Sequence, residues 1–216
     1  MDWSRLCSHQ FEANNIADHF IATSEAQEFM SGPTRQDLSK FKLPKGFRGR
    51  PGWYVQIWWI VQATLFRCSP QFAYRFRANI LRAFGANIGK NTIIRPTVTI
   101  TYPWKVSIGV NSWIGDDVTL YSLGNITIGE NTVISQRSYI CAADHDYKQP
   151  DFPIRARPID IGNECWLATD TFVAPGISIG SGTVVGARSL VVKNLPGDMV
   201  CIGNPCKPVK SRQLST

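Results

Sequence analysis

Residues 161–192, IGNECWLATDTFVAPGISIGSGTVVGARSLVV, return an aliphatic residue at every sixth position: Ile161, Leu167, Val173, Ile179, Val185 and Val191. The next residue is small at the first five of these (Gly162, Ala168, Ala174, Gly180, Gly186), and Val192 ends that part of the pattern. Upstream, Ile88-Gly89 leads to Ile94 and Ile100, Ile108-Gly109 to Ile114 and Leu120, and Ile128-Gly129 to Ile134 and Ile140. These blocks recur at 20 residues where three hexads would take 18, which predicts a bulge or short loop at one corner. A period of six fits neither a 3.6-residue helix nor an alternating strand. It fits a triangular coil of three short strands, each turning one aliphatic side chain inward. Coils of this kind stack as parallel strands about 4.8 Å apart. The stacked aliphatics then bury a continuous core that no single coil could bury alone.

Outside the repeat, residues 1–52 read as a polar N-terminal arm, 53–85 as a Trp-rich helical cap, 86–195 as the prism and 196–216 as a basic tail. Residues 141–158, CAADHDYKQPDFPIRARP, interrupt the hexads and read as a loop thrown out from the prism, where function tends to sit. The segment Trp53 to Phe66, WYVQIWWIVQATLF, is too short to span a bilayer. Its aromatic content and flanking arginines (48, 50, 67, 75, 77 and 82) suit either a helix capping the core or a peripheral membrane contact.

The chain has 216 residues, 44% hydrophobic and 18% charged, the profile of one folded domain with an appendage. A net charge of +7 favours an anionic partner without naming it. Six cysteines form no C-x-x-C pair and there are only three histidines, so no metal site is expected. The N-terminal residues lack the order of a secretory signal, which makes a reducing cytoplasm the expected compartment, with the inner face of the membrane as a variant of it.

The run from Leu81 to Tyr147 and the run from Arg157 to Arg212, with the elements YPW, ISQ, HDY and GNP-x-K-P, resemble the family of colanic acid biosynthesis acetyltransferases among the hexapeptide-repeat acyltransferases. The resemblance covers roughly residues 33–212 and implies an all-β, left-handed parallel β-helix. It further implies a homotrimer, acetyl-CoA as donor and a carbohydrate hydroxyl as acceptor, with no nucleic-acid partner.

An alcohol attacks a thioester only once its proton is removed, and a positioned imidazole does this near neutral pH. His145 is the only histidine of the repeat domain, and it stands where the related maltose and galactoside acetyltransferases carry their catalytic histidine. Asp144 or Asp146 could hold its tautomer, as could a backbone carbonyl, and Asp146 is also a candidate acceptor contact. Asp117 matches a position that contacts the acceptor in the galactoside enzymes, which have Asn there. Trp166 matches a tryptophan near their active site, suited to the sugar or the thioester. Thr169 and Ala187 fall where those enzymes contact the pantetheine chain. Lys193, Lys207 and Lys210 fall near the cofactor's nucleotide end, where a cation would pair with phosphate. The relatives have Arg at the last two of these positions, and Lys lacks the bidentate fork. A covalent route through Cys141 has nothing else in the sequence to support it.

Competing functions are acetylation of another small acceptor (an amino sugar, a drug, serine) and a non-catalytic trimeric scaffold. Serine-acetylating relatives carry a large helical N-terminal domain, for which the 85 residues ahead of the prism are too short. Zinc carbonic anhydrases of this fold need three histidines, and one in the repeat domain cannot supply them.

Overall fold

The computed structural model describes residues 35–213; His9, His19, Cys7 and most of the expected arm lie outside the described residues. Three parallel sheets form the faces of a prism. The first face stacks Asn87–Ile88, Val106–Ile108, Ile126–Ile128, Ile159–Ile161 and Ser178–Ile179. The second stacks Ile93–Ile94, Trp113–Ile114, Val133–Ile134, Trp166–Leu167, Val184–Val185 and Met199–Ile202. The third stacks Thr99–Ile100, Thr119–Tyr121, Tyr139–Cys141, Phe172–Val173 and Leu190–Val191. The architecture is the stacked triangular coil expected from the hexads, the left-handed parallel β-helix that the resemblance implies. Pairing is in register, Ile88 with Ile108 and Ile114 with Ile134, so each aliphatic of the repeat lies above its counterpart in one buried core. The two extra residues of the 20-residue blocks sit where the third face returns to the first; there Pro103–Lys105 make a 3-10 turn.

The corners explain the polar part of the repeat. Asn91, Asn111 and Asn131 occupy the left-handed region at φ 57°, 58° and 53°, which Asn tolerates better than other side chains. Their amides form a ladder, Asn91 to Asn111 and Asn111 to Asn131, each 3.2 Å. Gly109 is required for a different reason: a Cβ there would lie 2.6 Å from the backbone nitrogen of Glu130 in the next coil. Stacking distance, rather than dihedral freedom, selects that glycine.

A solenoid's end is an open sheet edge, and here the backbone carbonyls of the first coil point at it. The chain ahead of the prism supplies helix α1 (Gly52–Val61), a π-helical turn Gln62–Phe66 and helix α2 (Tyr74–Ala83). Each face of the first coil receives a side-chain donor from this cap. Arg82 donates to the Ile88 carbonyl at 2.8 and 3.0 Å, Arg77 to that of Ile94 at 2.6 Å, and Trp58 Nε1 to that of Ile100 at 2.8 Å. Gln62 Oε1 accepts the Ile100 N–H at 2.7 Å. Arg77 and Arg82, which composition alone leaves as membrane candidates, are therefore bound to the end of the prism, Arg77 buried and Arg82 at its exposed rim. No helix among the described residues is long and apolar enough to cross a membrane.

Candidate active site

The interrupting loop is a β-hairpin, Ala143–His145 antiparallel to Ile154–Ala156, leaving the edge between the third and first faces. Its root crosses Gly124, where a Cβ would meet the Ala142 carbonyl at 2.6 Å, so the hairpin emerges flush with the coil below. Arg155 buckles the two strands: its guanidinium donates to both Asp144 oxygens at 2.8 and 3.0 Å, and Arg157 adds a pair to Asp144 at 3.2 Å.

His145 ends the first strand, partly buried. Its ring stacks on Phe152, with centroids 4.2 Å apart and planes within 9°, and Phe41 closes from another side at 6.1 Å. Nδ1 lies 2.9 Å from the Phe152 carbonyl oxygen. A carbonyl only accepts, so Nδ1 carries the proton and the neutral ring keeps its lone pair on Nε2. Of the alternatives open in the sequence, the backbone carbonyl holds the tautomer. Neither Asp144 nor Asp146 hydrogen-bonds the imidazole. Asp146 turns into its own hairpin, accepting from Lys148 N at 3.2 Å and Gln149 Nε2 at 3.3 Å and lying 3.5 Å from Arg155; these partners hold its carboxyl below the usual range.

Sequence reasoning missed Phe152 and Phe41. Phe152 has φ 47°, rare for a bulky residue, and sits between Asp151 and Pro153 with Pro150 just before. That proline-bracketed aromatic beside the histidine was the available signal. Phe41 arrives because the segment ahead of the cap lies along the hairpin, with Asp37 N donating to the Pro150 carbonyl at 2.7 Å.

Cys141 lies at the hairpin root. Its thiol contacts the Ala143 carbonyl at 3.2 Å, and burial pushes it above the ordinary thiol range, the reverse of what a nucleophile needs. Cys141→Ser is expected to keep kcat within about twofold of the wild type in a thiol-release assay; a loss beyond tenfold would restore the covalent route.

The other expected site residues fall on the second face and two edges. Trp166 stands on the second face, half exposed, with Nε1 donating to Ser135 Oγ at 3.0 Å. The edge between the second and third faces carries Asp117, Thr169 and Ala187, with Gln136 and Arg137 turning the coil between Asp117 and Thr169. Asp117 is in the left-handed region at φ 56° and its N–H donates to Thr97 Oγ1 at 2.8 Å. Beside it a cavity of about 660 Å³ is lined by Tyr74, Arg95, Trp113, Asp117, Ser135 and Arg137. Thr169 Oγ1 donates to the Gln136 carbonyl at 3.0 Å. Lys207 and Lys210 lie exposed on Lys207–Ser211, a strand antiparallel to Met199–Ile202. Ile202, the register partner of Lys207, fills the space beside Gly186, which brings Lys207 to the Ala187 corner. Lys193 is exposed on the edge that carries the hairpin, one coil below Gly176, which the Arg157 side chain covers. None of these three lysines forms an ion pair among the described residues. Within one chain, then, His145 stands on one edge of the prism and the Asp117–Thr169–Ala187 column on another, with the third face between them. No metal-binding cluster occurs among the described residues.

A hexad prism with one projecting histidine hairpin defines the class: a left-handed β-helix acyltransferase of the hexapeptide-repeat type. Over 177 residues the chain is 60% identical to WcaF of Escherichia coli strain K12, an acetyltransferase assigned by inference to colanic acid biosynthesis, covering 82% of this chain and 97% of that one. It belongs to that family of acetyltransferases. A maltose O-acetyltransferase from Clostridium difficile 630 superimposes with a TM-score of 0.68 at 26% identity, covering 76% of this chain and 90% of that one. A galactoside acetyltransferase solved with coenzyme A shares the fold, with a TM-score of 0.70 at 23% identity over 84% of this chain and 92% of that one. No family model matches the chain.

Proposed function

We propose that the protein moves an acetyl group from acetyl-CoA to a hydroxyl of a sugar or polysaccharide precursor, with His145 as general base. One observation carries this: the Phe152 carbonyl fixes the imidazole with its lone pair on Nε2, the free nitrogen. Nε2 takes the hydroxyl proton as the oxygen attacks the thioester carbonyl. The carbon–sulfur bond then breaks, and the imidazolium returns the proton to the leaving thiolate, leaving the ring neutral. Kinship to WcaF and likeness to enzymes named for maltose and galactoside support a carbohydrate acceptor.

The separation of His145 from the Asp117–Thr169–Ala187 edge supports a homotrimer in which one chain's hairpin faces the next chain's corner. In that arrangement Asp117 and Trp166 would meet the acceptor. Thr169 and Ala187 would line the donor's amide chain, while Lys193, Lys207 and Lys210, free of carboxylate partners in the prism, would hold its phosphates. A reducing cytoplasm is the compartment this donor implies.

The test is release of free thiol from acetyl-CoA with a panel of sugars and lipid-linked saccharides, alongside sedimentation. Acceptor-dependent release by a particle of about three times 24.1 kDa is the expected outcome. A saturating donor should also raise the melting temperature, because it binds only the native state; at 100 times Kd the gain is about 2.7 kcal/mol. No release with any acceptor and no thermal shift would leave a scaffold.

A further inference from the structure

We infer that the outer face of the helical cap docks on a bilayer surface carrying anionic lipid headgroups. The inference goes beyond the proposed reaction and does not depend on it. Helix α1 is apolar on two opposite sides. Val55 and Trp58 are buried on the prism, whereas Trp53, Ile57 and Ile60, spaced four and three residues apart, form a stripe facing away from it. Trp53 is 65% exposed and Ile60 63%. Trp59, Leu65, Phe72 and Phe76 of the same cap are also exposed, Phe72 by 81%. Capping the prism accounts for the inner side of α1 and gives no reason for the outer one. So many large apolar side chains exposed on one short cap mark a contact.

Charge selects the occupant. From Leu38 to Gly115 the chain contains no Asp or Glu and twelve Lys or Arg. Arg77 and Arg82 are spent on the first coil and Arg95 is paired with Asp116. Arg67 and Arg75 lie exposed in the cap itself, and Lys42 and Lys45 are exposed in the segment ahead of it, where Lys40 pairs with Asp37 at 3.2 Å. Exposed apolar and aromatic side chains on a cap that carries exposed arginines and no carboxylate of its own match the headgroup–acyl boundary of an anionic leaflet. Because no described helix can cross a membrane, the contact lies on the surface. A second copy of this chain would bring the same cations face to face, which repels.

The test is co-sedimentation of the full chain with phosphatidylcholine vesicles and with vesicles containing about a third phosphatidylglycerol, while tryptophan emission is followed. Binding should require phosphatidylglycerol, weaken at high salt and shift emission to the blue. The variant Trp53→Gln/Ile57→Gln/Ile60→Gln should bind at least tenfold more weakly, with thiol release on a soluble acceptor unchanged. No binding by the wild type, or equal binding by the variant, would overturn the inference. So would a vesicle-independent doubling of particle mass that the triple change abolishes, since the patch would then be a contact between copies.

Discussion

His145→Ala lowers kcat for acetyl transfer by a factor on the order of 10²–10⁴, the range a positioned general base contributes, and moves the KM for acetyl-CoA little. The asymmetry follows from where the ring sits. The His145 ring makes one hydrogen bond, to the Phe152 carbonyl, and packs between Phe152 and Phe41 on a hairpin that leaves a different edge from the Thr169 and Ala187 corner. Removing it takes away the lone pair on Nε2 and nothing proposed to hold the donor. Alanine also loses the stacking and the Nδ1 bond, so a fall in rate could come from a loosened hairpin. His145→Asn separates the two causes, because its amide nitrogen stands close to Nδ1 and can still donate to Phe152 while offering no base. Both variants should lose rate to a similar extent, with melting temperatures near that of the wild type. A His145→Asn enzyme retaining more than about a tenth of the wild-type kcat would remove His145 as the base. The hairpin would then act only by shape.

The prism was legible because its signal is redundant. Six aliphatics at fixed spacing, with three further triplets, specify which side chains face inward, and the register from Ile88 to Val191 follows from counting. Asp117, Thr169 and Ala187 were singled out by the resemblance to the galactoside enzymes, not by the period, and all three lie on one edge of the prism. The orientation of His145 was not legible, because it rests on a backbone carbonyl presented by Phe152 at φ 47°, in a loop that obeys no period. Nor was the attachment of Arg77 and Arg82 to the end of the prism. The one helix that carries both, Tyr74–Ala83, follows a segment that is apolar on two opposite sides, so composition does not say which face meets the prism. Their partners are carbonyls left over at the end of a stack, and such a need becomes visible only once the coils are assembled. Local pattern thus specified the repeating interior, while the terminating contacts and the reacting group depended on tertiary placement.

Arg77→Met should cost about 3 kcal/mol of stability or more. Arg77 is fully buried, and its donors reach four acceptors: the Ile94 carbonyl at 2.6 Å, Ser69 Oγ at 2.8 Å, the Pro70 carbonyl at 2.8 Å and the Gln71 carbonyl at 2.6 Å. No carboxylate pairs with it among the described residues, and burial lowers its pKa, which means the folded state bears a cost for the charge. Methionine removes that cost and fills much of the same volume, so the sign of the change needs deciding. Buried acceptors left without a donor cost roughly 1–3 kcal/mol each, and at least the Ile94 carbonyl and the Ser69 hydroxyl lie where water has little access. Their combined loss exceeds the relief, because the guanidinium is already solvated by the four acceptors it would abandon. For a chain of this size, 3 kcal/mol corresponds to a fall of roughly 6–12 °C in melting temperature. Arg77→Lys should do little better, since one ammonium on a shorter reach cannot serve acceptors spread over the first coil and the 69–71 turn. Arg82→Met is the informative contrast: Arg82 also caps the first coil, but at the exposed rim, where water can replace its bonds to Ile88 and Gly89. A melting temperature for Arg77→Met no lower than that of Arg82→Met would mean that the end of the stack tolerates open carbonyls, and that the cap is held by its apolar contacts alone.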